Sequence, residues 1–431
     1  MTTAKISPFA SPPLPAYQRA DILNTLVRLL RRDAKVLIQL ISSEVSKPIT
    51  LAQRELERAQ GVFAEAAAES LRWGGSWLPA DVQATTHQVF SKPLPLGPLL
   101  AITPFNYPLN LAVHKIAPAM ALGIPFVLKP SPRAPGTAQK LLALVHEAGY
   151  PQASAQLLLC SNEQALDWVR DPRFAILSFT GSAAVGWALK KESNAKQVLL
   201  ELGGNASVIL APDSAWKEAL PKIVWGAFMF AGQVCISVQQ LWVHESFYDA
   251  CVSELLQATA QVKAGDPMQP ETVVSPMIDE AAAQRVEAWI NQAQGQGASV
   301  LLRGLRHGRT LSPTVLSDVP LDQPLCCEEV FGPVLVLHRY KQLSQVYQRI
   351  NEFRYGLHAS IYTQALATAF DAFESLQMGS VLVNEIPTFR LDSMPYGGSK
   401  DSGLGREGVR YAMAAYCEPK NLILQPKFPG A

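Results

Sequence analysis

Phe179-Thr180-Gly181-Ser182-Ala183-Ala184-Val185-Gly186 reads as the end of a strand, a Gly-Ser turn and the first turn of a helix. The run at 175–179 is short and largely apolar, as in a strand buried on both faces. The glycine lets a phosphate approach the backbone, and the helix start offers free N–H groups and the positive end of a dipole. A plain strand–helix turn has the same sequence, and the spacing is not GxGxxG. Outward from this stretch the alternation repeats. Buried strands at 126–128 and 208–210 alternate with helical stretches at 111–122, 136–148 and 184–192. After Asn205, helical stretches near 215–232, 246–260 and 280–296 alternate with strands near 239–243, 299–302, 333–338 and 380–383. The pattern predicts an α/β chain, with a doubly wound parallel sheet covered on both faces followed by a second α/β unit.

Ahead of the first strand, Ile22, Leu23, Leu26, Leu29 and Leu30, then Leu37, Ile38 and Ile41, keep helical spacing between Tyr17 and Val45. Leu56, Ala59, Val62, Phe63 and Ala66 mark a second amphipathic helix over 50–71. Residues 8–15 are proline-rich and read as extended, and 89–102 reads as strands separated by turns. Asn421-Leu422-Ile423-Leu424-Gln425 reads as a short isolated strand that must pair, with an edge of a partner subunit as the expected partner.

The 431 residues exceed one compact core and suit two domains. A formal net charge of +1 with no basic run favours neither nucleic acid nor an anionic membrane surface. No apolar stretch approaches the roughly 20 residues that span a bilayer, and the first residues lack the apolar core of a signal peptide. The six cysteines (160, 235, 251, 326, 327, 417) show no CxxC pairing. They read as reduced thiols of a cytosolic protein without a zinc site. Neighbouring Cys326 and Cys327 are read as two thiols rather than a strained disulfide.

Four positions carry candidate chemistry. Cys235, in Gly232-Gln233-Val234-Cys235-Ile236-Ser237, follows Glu201, in Leu200-Glu201-Leu202-Gly203-Gly204-Asn205. A thiolate can attack a carbonyl carbon, and a carboxylate can deprotonate the water that releases the acyl group. Taken singly, each is an inert core thiol or a solvated carboxylate. In Thr103-Pro104-Phe105-Asn106-Tyr107-Pro108 two prolines stiffen the loop, so the Asn106 amide can serve as an oxyanion donor or bond its own turn. In Val127-Leu128-Lys129-Pro130-Ser131 a lysine ends a strand, where it can hold a dinucleotide ribose or phosphate, or simply lie in solvent.

Seven segments in order, TPFNYP (103–108), VLKPS (127–131), FTGSAAVG (179–186), LELGGN (200–205), GQVCIS (232–237), EEVFGPV (328–334) and MPYGGSKDSGLGREG (394–408), resemble the NAD(P)-dependent aldehyde dehydrogenase superfamily. The resemblance covers the chain from Tyr17 onward. It implies Cys235 as nucleophile, Glu201 as base for thioester hydrolysis, and Asn106 with the Cys235 N–H as oxyanion hole. Thr103, Pro104, Phe105, Lys129, Ser131, Gly181, Ser182, Leu202, Glu329 and Phe331 match cofactor-binding positions for NAD or NADP, and Lys115 and Glu407 match polar positions linked to proton transfer. It further implies a cofactor domain over 1–203, a catalytic domain over 204–393, and a segment over 394–431 that returns to the cofactor domain. A small β element from 78–98 and the C-terminal strand would make a dimer or tetramer.

Two departures bear on function. The family usually begins with further strands ahead of the helix near Tyr17. Where NAD-preferring members often carry an acidic residue shortly after the lysine, this chain has Ser131-Pro132-Arg133, so NADP is expected to be tolerated and Arg133 to attract its 2′-phosphate. The segment from Phe389 to Tyr396 (FRLDSMPY) resembles the branch acting on lactaldehyde, glyceraldehyde derivatives, sulfolactaldehyde or phosphonoacetaldehyde. Arg390 would hold the anionic group of a small aldehyde, or pair with Asp392. The rivals are a CoA-acylating dehydrogenase, which would not need Glu201, and a catalytically silent binding protein.

Overall fold

The computed structural model describes residues 14–83 and 85–425; most of the proline-rich leader at 8–15 lies outside them. The helical pattern between Tyr17 and Val45 is two helices, α1 (Ala16–Arg32) and α2 (Ala34–Val45), parted at Asp33. Asp33 leaves helical geometry (φ −99°, ψ 17°) and its carboxylate pairs with Arg32 and Lys140. A left-handed Ser46 and the Lys47-Pro48 pair lead into α3 (Ile49–Arg72). The apolar stripes of the three helices, including Leu23, Leu26 and Leu30, Leu37 and Ile41, and Leu56, Val62 and Phe63, are buried together.

The first large sheet contains β3 (Leu99–Ile102), β4 (Phe126–Lys129), β5 (Ala155–Leu157), β6 (Ile176–Thr180) and β7 (Gln197–Glu201), after the smaller β1 (Ser76–Leu78) and β2 (Gln88–Pro95). Its order is β7-β6-β3-β4-β5, all parallel, with Gly403–Leu404 added antiparallel beside β7. Alternate residues serve different cores. Leu99, Ala101, Phe126, Leu128 and Ile176 join the core of α1–α3, α4 (Asn110–Leu122) and α5 (Pro135–Glu147). Leu100, Ile102, Val127, Leu177 and Phe179 face the other side, with α6 (Asn162–Val169) and α7 (Ala183–Glu192). Burial on both faces is why these strands read as apolar runs.

A seven-stranded sheet follows, in the order 299–302, 314–317, 334–340, 238–244, β8 (Ala206–Leu210), 358–362 and 380–383. The first of these strands is antiparallel and the rest are parallel. The helical stretch expected to reach 232 stops sooner, since α8 is Trp216–Phe228. Phe230, Ala231 and Gly232 then turn left-handed in succession (φ 53°, 54° and 68°), a conformation that β-carbons resist and that no α-helix continues.

The C-terminal strand corrects an expectation. Cys417–Leu424 is longer than foreseen and is not isolated within the chain: it pairs antiparallel with β2 along 88–95. With β1 it makes a three-stranded sheet whose outer edge, at 417–424, is unpaired within the chain. All six cysteines are free thiols, so Cys326 and Cys327 form no disulfide. No helix of the described residues is long and apolar enough to cross a membrane, and no His/Cys/Asp/Glu group there could hold a metal ion.

The turn at 229–232 delivers Cys235, and Gly232 is its tightest point, where an added Cβ would collide with the Gly332 carbonyl. Gly232→Ala is expected to cost ~2–4 kcal/mol in urea unfolding and to abolish turnover in the protein that still folds.

Candidate active site

In the first sheet the chain steps one way from β3 to β4 and β5, and the other way to β6 and β7, so β3 and β6 mark the switch point where open α/β sheets bind ligands. Beyond their carboxyl ends lie Thr103-Pro104-Phe105-Asn106 and Gly181-Ser182. A cavity of about 650 Å³ opens there and runs on to Cys235. Asn106, Gly181, Glu201, Cys235, Glu329 and Arg390, from both large sheets and their loops, share its lining.

The Cys235 thiol lies 3.2 Å from the Tyr396 hydroxyl. Burial pushes it up to about 11, against the pull of that hydrogen bond and of Arg390. Tyr396 is buried, with the Arg390 guanidinium 3.7 Å from its ring centroid and His358 edge-on at 5.2 Å. Asn106 is buried, and its amide donates to the Gln233 carbonyl at 3.0 Å, tying its loop to the loop of the thiol. The two prolines are not the loop's main restraint. The Lys47 ammonium donates to the Asn106 carbonyl at 2.7 Å and pairs with Glu55 at 2.6 Å, while Glu55 accepts from the Leu109 and Asn110 N–H groups at 2.8 and 3.0 Å.

Glu201 ends β7, and one of its carboxylate oxygens is buried without a hydrogen-bond partner. Burial and the nearby Glu407 charge push its carboxyl well above the usual range. Glu407 goes the other way. Burial would raise it, but Lys115, His114 and Arg390 hold it at about 2. Lys115 lies 3.1 Å from Glu407 and from the Ser178 hydroxyl, and Arg390 donates to the other Glu407 oxygen at 3.2 Å. Arg390 thus pairs chiefly with Glu407, not Asp392, from which its Nε lies 3.7 Å. Asp392 takes a bidentate pair from Arg58 at 2.6 and 3.0 Å and a contact with His114 at 2.8 Å.

Phe105 and Phe331 meet edge to face at 6.0 Å, with Phe331 in left-handed geometry. Glu329 accepts from the Gly204 N–H at 3.3 Å and burial raises it to about 7. Gly181 and Ser182 lead into α7, whose first turn has no side-chain cap, and Leu202 packs against Gly186. The Thr103 hydroxyl is buried without a partner. Lys129 and Ser131 lie outside the cavity lining: Lys129 donates to Asn162 at 2.6 Å, and the Ser131 hydroxyl accepts from the Arg133 N–H at 3.2 Å. Arg133 is paired with Asp279 at 2.7 Å.

A thiol, an amide, a high-set carboxyl and an uncapped helix start meet on one cavity, and comparison with known proteins places the chain in a family. The aldehyde dehydrogenase family profile covers residues 8–422. A 3-sulfolactaldehyde dehydrogenase of Priestia aryabhattai is 36% identical over 411 residues, 95% of this chain and 86% of its own. The chain belongs to the aldehyde dehydrogenase family. Aldehyde dehydrogenase 21 of Physcomitrella patens, solved with the reaction product succinate, is 39% identical with a TM-score of 0.92, covering 95% of this chain and 86% of that one. The NADP complex of glyceraldehyde-3-phosphate dehydrogenase GapN from Methanocaldococcus jannaschii is 34% identical with a TM-score of 0.92, covering 96% and 90%. This aldehyde dehydrogenase is accordingly an NAD(P)-dependent enzyme that oxidises an aldehyde to a carboxylic acid.

Tyr396, Lys47, Glu55, Arg58 and His114 were not singled out as site residues from the sequence. Tyr396 stood in a quoted motif without a role, and a Lys-Pro pair between helices gives no sign of burial. Folding raises the Glu201 carboxyl, so the protonated form is favoured. That contribution is present below the ordinary carboxylate value and is lost as pH rises through the raised one. Glu201→Gln is therefore expected to be more stable than the parent at pH 8, with the gap narrowing toward pH 5, as read by chemical unfolding at the two pH values.

Proposed function

We propose that Cys235 is the nucleophile of this aldehyde dehydrogenase and that its substrate is a small aldehyde carrying a second, anionic group. The observation that carries the reading is the shared cavity wall of Cys235, Asn106, Glu201 and Arg390. The Cys235 sulfur adds to the aldehyde carbon as the deprotonated thiolate, and the C=O π-electrons move to oxygen. An Asn106 N–H, and the backbone N–H of Cys235, steady that oxyanion. A nicotinamide held against this cavity would supply the acceptor for the hydride that leaves the former aldehyde carbon. Collapse of the oxyanion leaves a thioester on Cys235. Glu201, whose raised carboxyl makes it a stronger base once ionised, removes a proton from water as that water attacks the thioester, and the C–S bond breaks to release acid and thiolate. A retained base at this position favours hydrolysis over transfer to CoA.

The cofactor reading rests on fit. The uncapped N-terminus of α7 with Gly181 suits a pyrophosphate, Glu329 suits a ribose hydroxyl, Lys129 would have to turn from Asn162 to reach another, and Phe105 and Phe331 line the cavity with the thiol. NADP is accepted because Ser131-Pro132-Arg133 offers no carboxylate to repel a 2′-phosphate, although Arg133 would have to leave Asp279 to reach one. The substrate reading rests on Arg54, Arg58 and Arg390, which share the cavity lining with the thiol; Arg58 is paired with Asp392 and Arg390 with Glu407. The names of the sulfolactaldehyde, succinate-bound and glyceraldehyde-3-phosphate relatives share that anionic feature.

Two identical copies would pair through the unpaired edges at 417–424 and 380–383. Leu422, Ile423, Trp77 and Phe90 are exposed on the three-stranded sheet, and apolar exposure beside a free edge favours a second subunit. Free thiols throughout suit a reducing cytosol.

Reduced-nicotinamide absorbance with anionic and neutral aldehydes, NAD and NADP, tests the enzyme reading. Cys235→Ala should abolish turnover; product appearing only with CoA would replace hydrolysis by acylation. Arg390→Ala should raise KM for anionic aldehydes by ~10-fold or more while leaving neutral ones near the parent value, and equal losses for both would reject the anion site. Ile423→Lys is expected to shift the protein toward monomer in sedimentation.

A further inference from the structure

Lys47 and Glu55 are wholly buried, side chains included, and neither lies among the groups the chemistry uses. A buried ion pair is weak support for stability, because desolvation offsets its attraction, so its retention calls for another account. Each partner spends its remaining hydrogen-bonding capacity on one loop. The Lys47 ammonium donates to the Asn106 carbonyl at 2.7 Å and sits 3.2 Å from the Tyr107 ring centroid. One Glu55 oxygen accepts from the next two free N–H groups, those of Leu109 and Asn110, at 2.8 and 3.0 Å. The same ammonium lies 5.2 Å from the ring of Phe230, in the left-handed turn that leads to Cys235. Burial lowers Lys47 to about 8, with Glu55 opposing the shift. The pair therefore holds the loop of the oxyanion donor at Asn106 and at its far end and lies near the loop of the nucleophile, while the Asn106 amide ties the two loops through Gln233.

We propose that Lys47 and Glu55 are positioning residues for the oxyanion donor, fixing Asn106 relative to Cys235; Lys47 lies outside the cavity lining, and Glu55, which lines it, commits its carboxylate to Lys47 and the loop. The inference rests on the oxyanion role given to Asn106 above. Displacing a donor by a fraction of its hydrogen-bond reach removes most of its benefit in the transition state and little of ground-state binding. The loss should therefore fall on kcat more than on KM.

A double-mutant cycle tests this. Asn106→Ala, Lys47→Met and the double variant would be compared in kcat and KM, with cofactor affinity read by nicotinamide fluorescence and folding by circular dichroism. Asn106→Ala is expected to lower kcat ~100-fold or more, as loss of an oxyanion donor does. Lys47→Met is expected to lower kcat ~10-fold or more in the parent and less than ~3-fold in the Asn106→Ala background, with cofactor affinity unchanged. Equal losses in both backgrounds, or a parallel fall in cofactor affinity, would show a merely structural pair and overturn the proposal. A near-parent rate for Asn106→Ala would instead remove the oxyanion role itself. Should Lys47→Met fail to fold, Lys47→Arg and Glu55→Asp carry the same test: each keeps the charges and shifts the clamp, so each should lower kcat in the parent and not in the Asn106→Ala background.

Discussion

In the proposed reaction, a thiol that must ionise, a carboxylate that must accept a proton and a strip of backbone suited to a cofactor all line one cavity. Charge there is costly unless it is matched, and the protein's answer is to fix the cations rather than let solvent provide them. Arg390 is the centre of that arrangement, because it meets Glu407, stacks on Tyr396 and so stands behind the hydroxyl that touches Cys235. Lys115 completes the neutralisation of Glu407, which stays ionised at about 2. Glu201 receives no hydrogen bond to one of its oxygens and feels Glu407 as a like charge, so its carboxyl is driven up. Two carboxylates in one neighbourhood are thus forced apart in proton affinity, which is the condition for giving them different work.

The fold makes this possible through direction. Parallel strands all end on one side, so the loops after β3, β6 and β7 converge without long excursions, and the second sheet brings the thiol loop to meet them. Convergence alone leaves loops too loose for a reaction sensitive to fractions of an ångström. Restraint comes from buried polar contacts reaching between segments far apart in sequence: Lys47 to Asn106, Asn106 to Gln233, Asp392 to Arg58. The opening helices α2 and α3, distant in sequence from every residue assigned a chemical step, are therefore part of the site's precision.

The sheets were legible because their physics is local. Strands such as 126–129 and 176–180 are buried on both faces and so appear as largely apolar runs, and the helices between them carry stripes. The motifs of the site were legible as well, since glycine, proline and cysteine advertise unusual backbone or chemistry. What escaped depended on contacts between distant residues. Phe230 and Ala231 adopt left-handed geometry that their own side chains disfavour, so the early end of α8 was hidden. The C-terminal strand found its partner in β2, some three hundred residues earlier; the family resemblance grouped the two segments, but neither announces the pairing by its own residues. Lys47 and Glu55 look like ordinary surface charges until folding buries them against each other.

That last case bears on how such a site is held in place. Replacing a buried ion pair by apolar residues of similar volume often leaves stability unchanged or improved. A pair kept only for stability would thus be easy to lose. Here each charge also holds a backbone group that no apolar side chain could hold: the Asn106 carbonyl on one side, and the Leu109 and Asn110 N–H groups on the other. Removing both charges would leave three buried backbone groups without partners, each costing about 1–3 kcal/mol. The loop would then relieve that cost by shifting, and the amide of Asn106 would shift with it. Loop stability and transition-state geometry are in this way set by the same few hydrogen bonds.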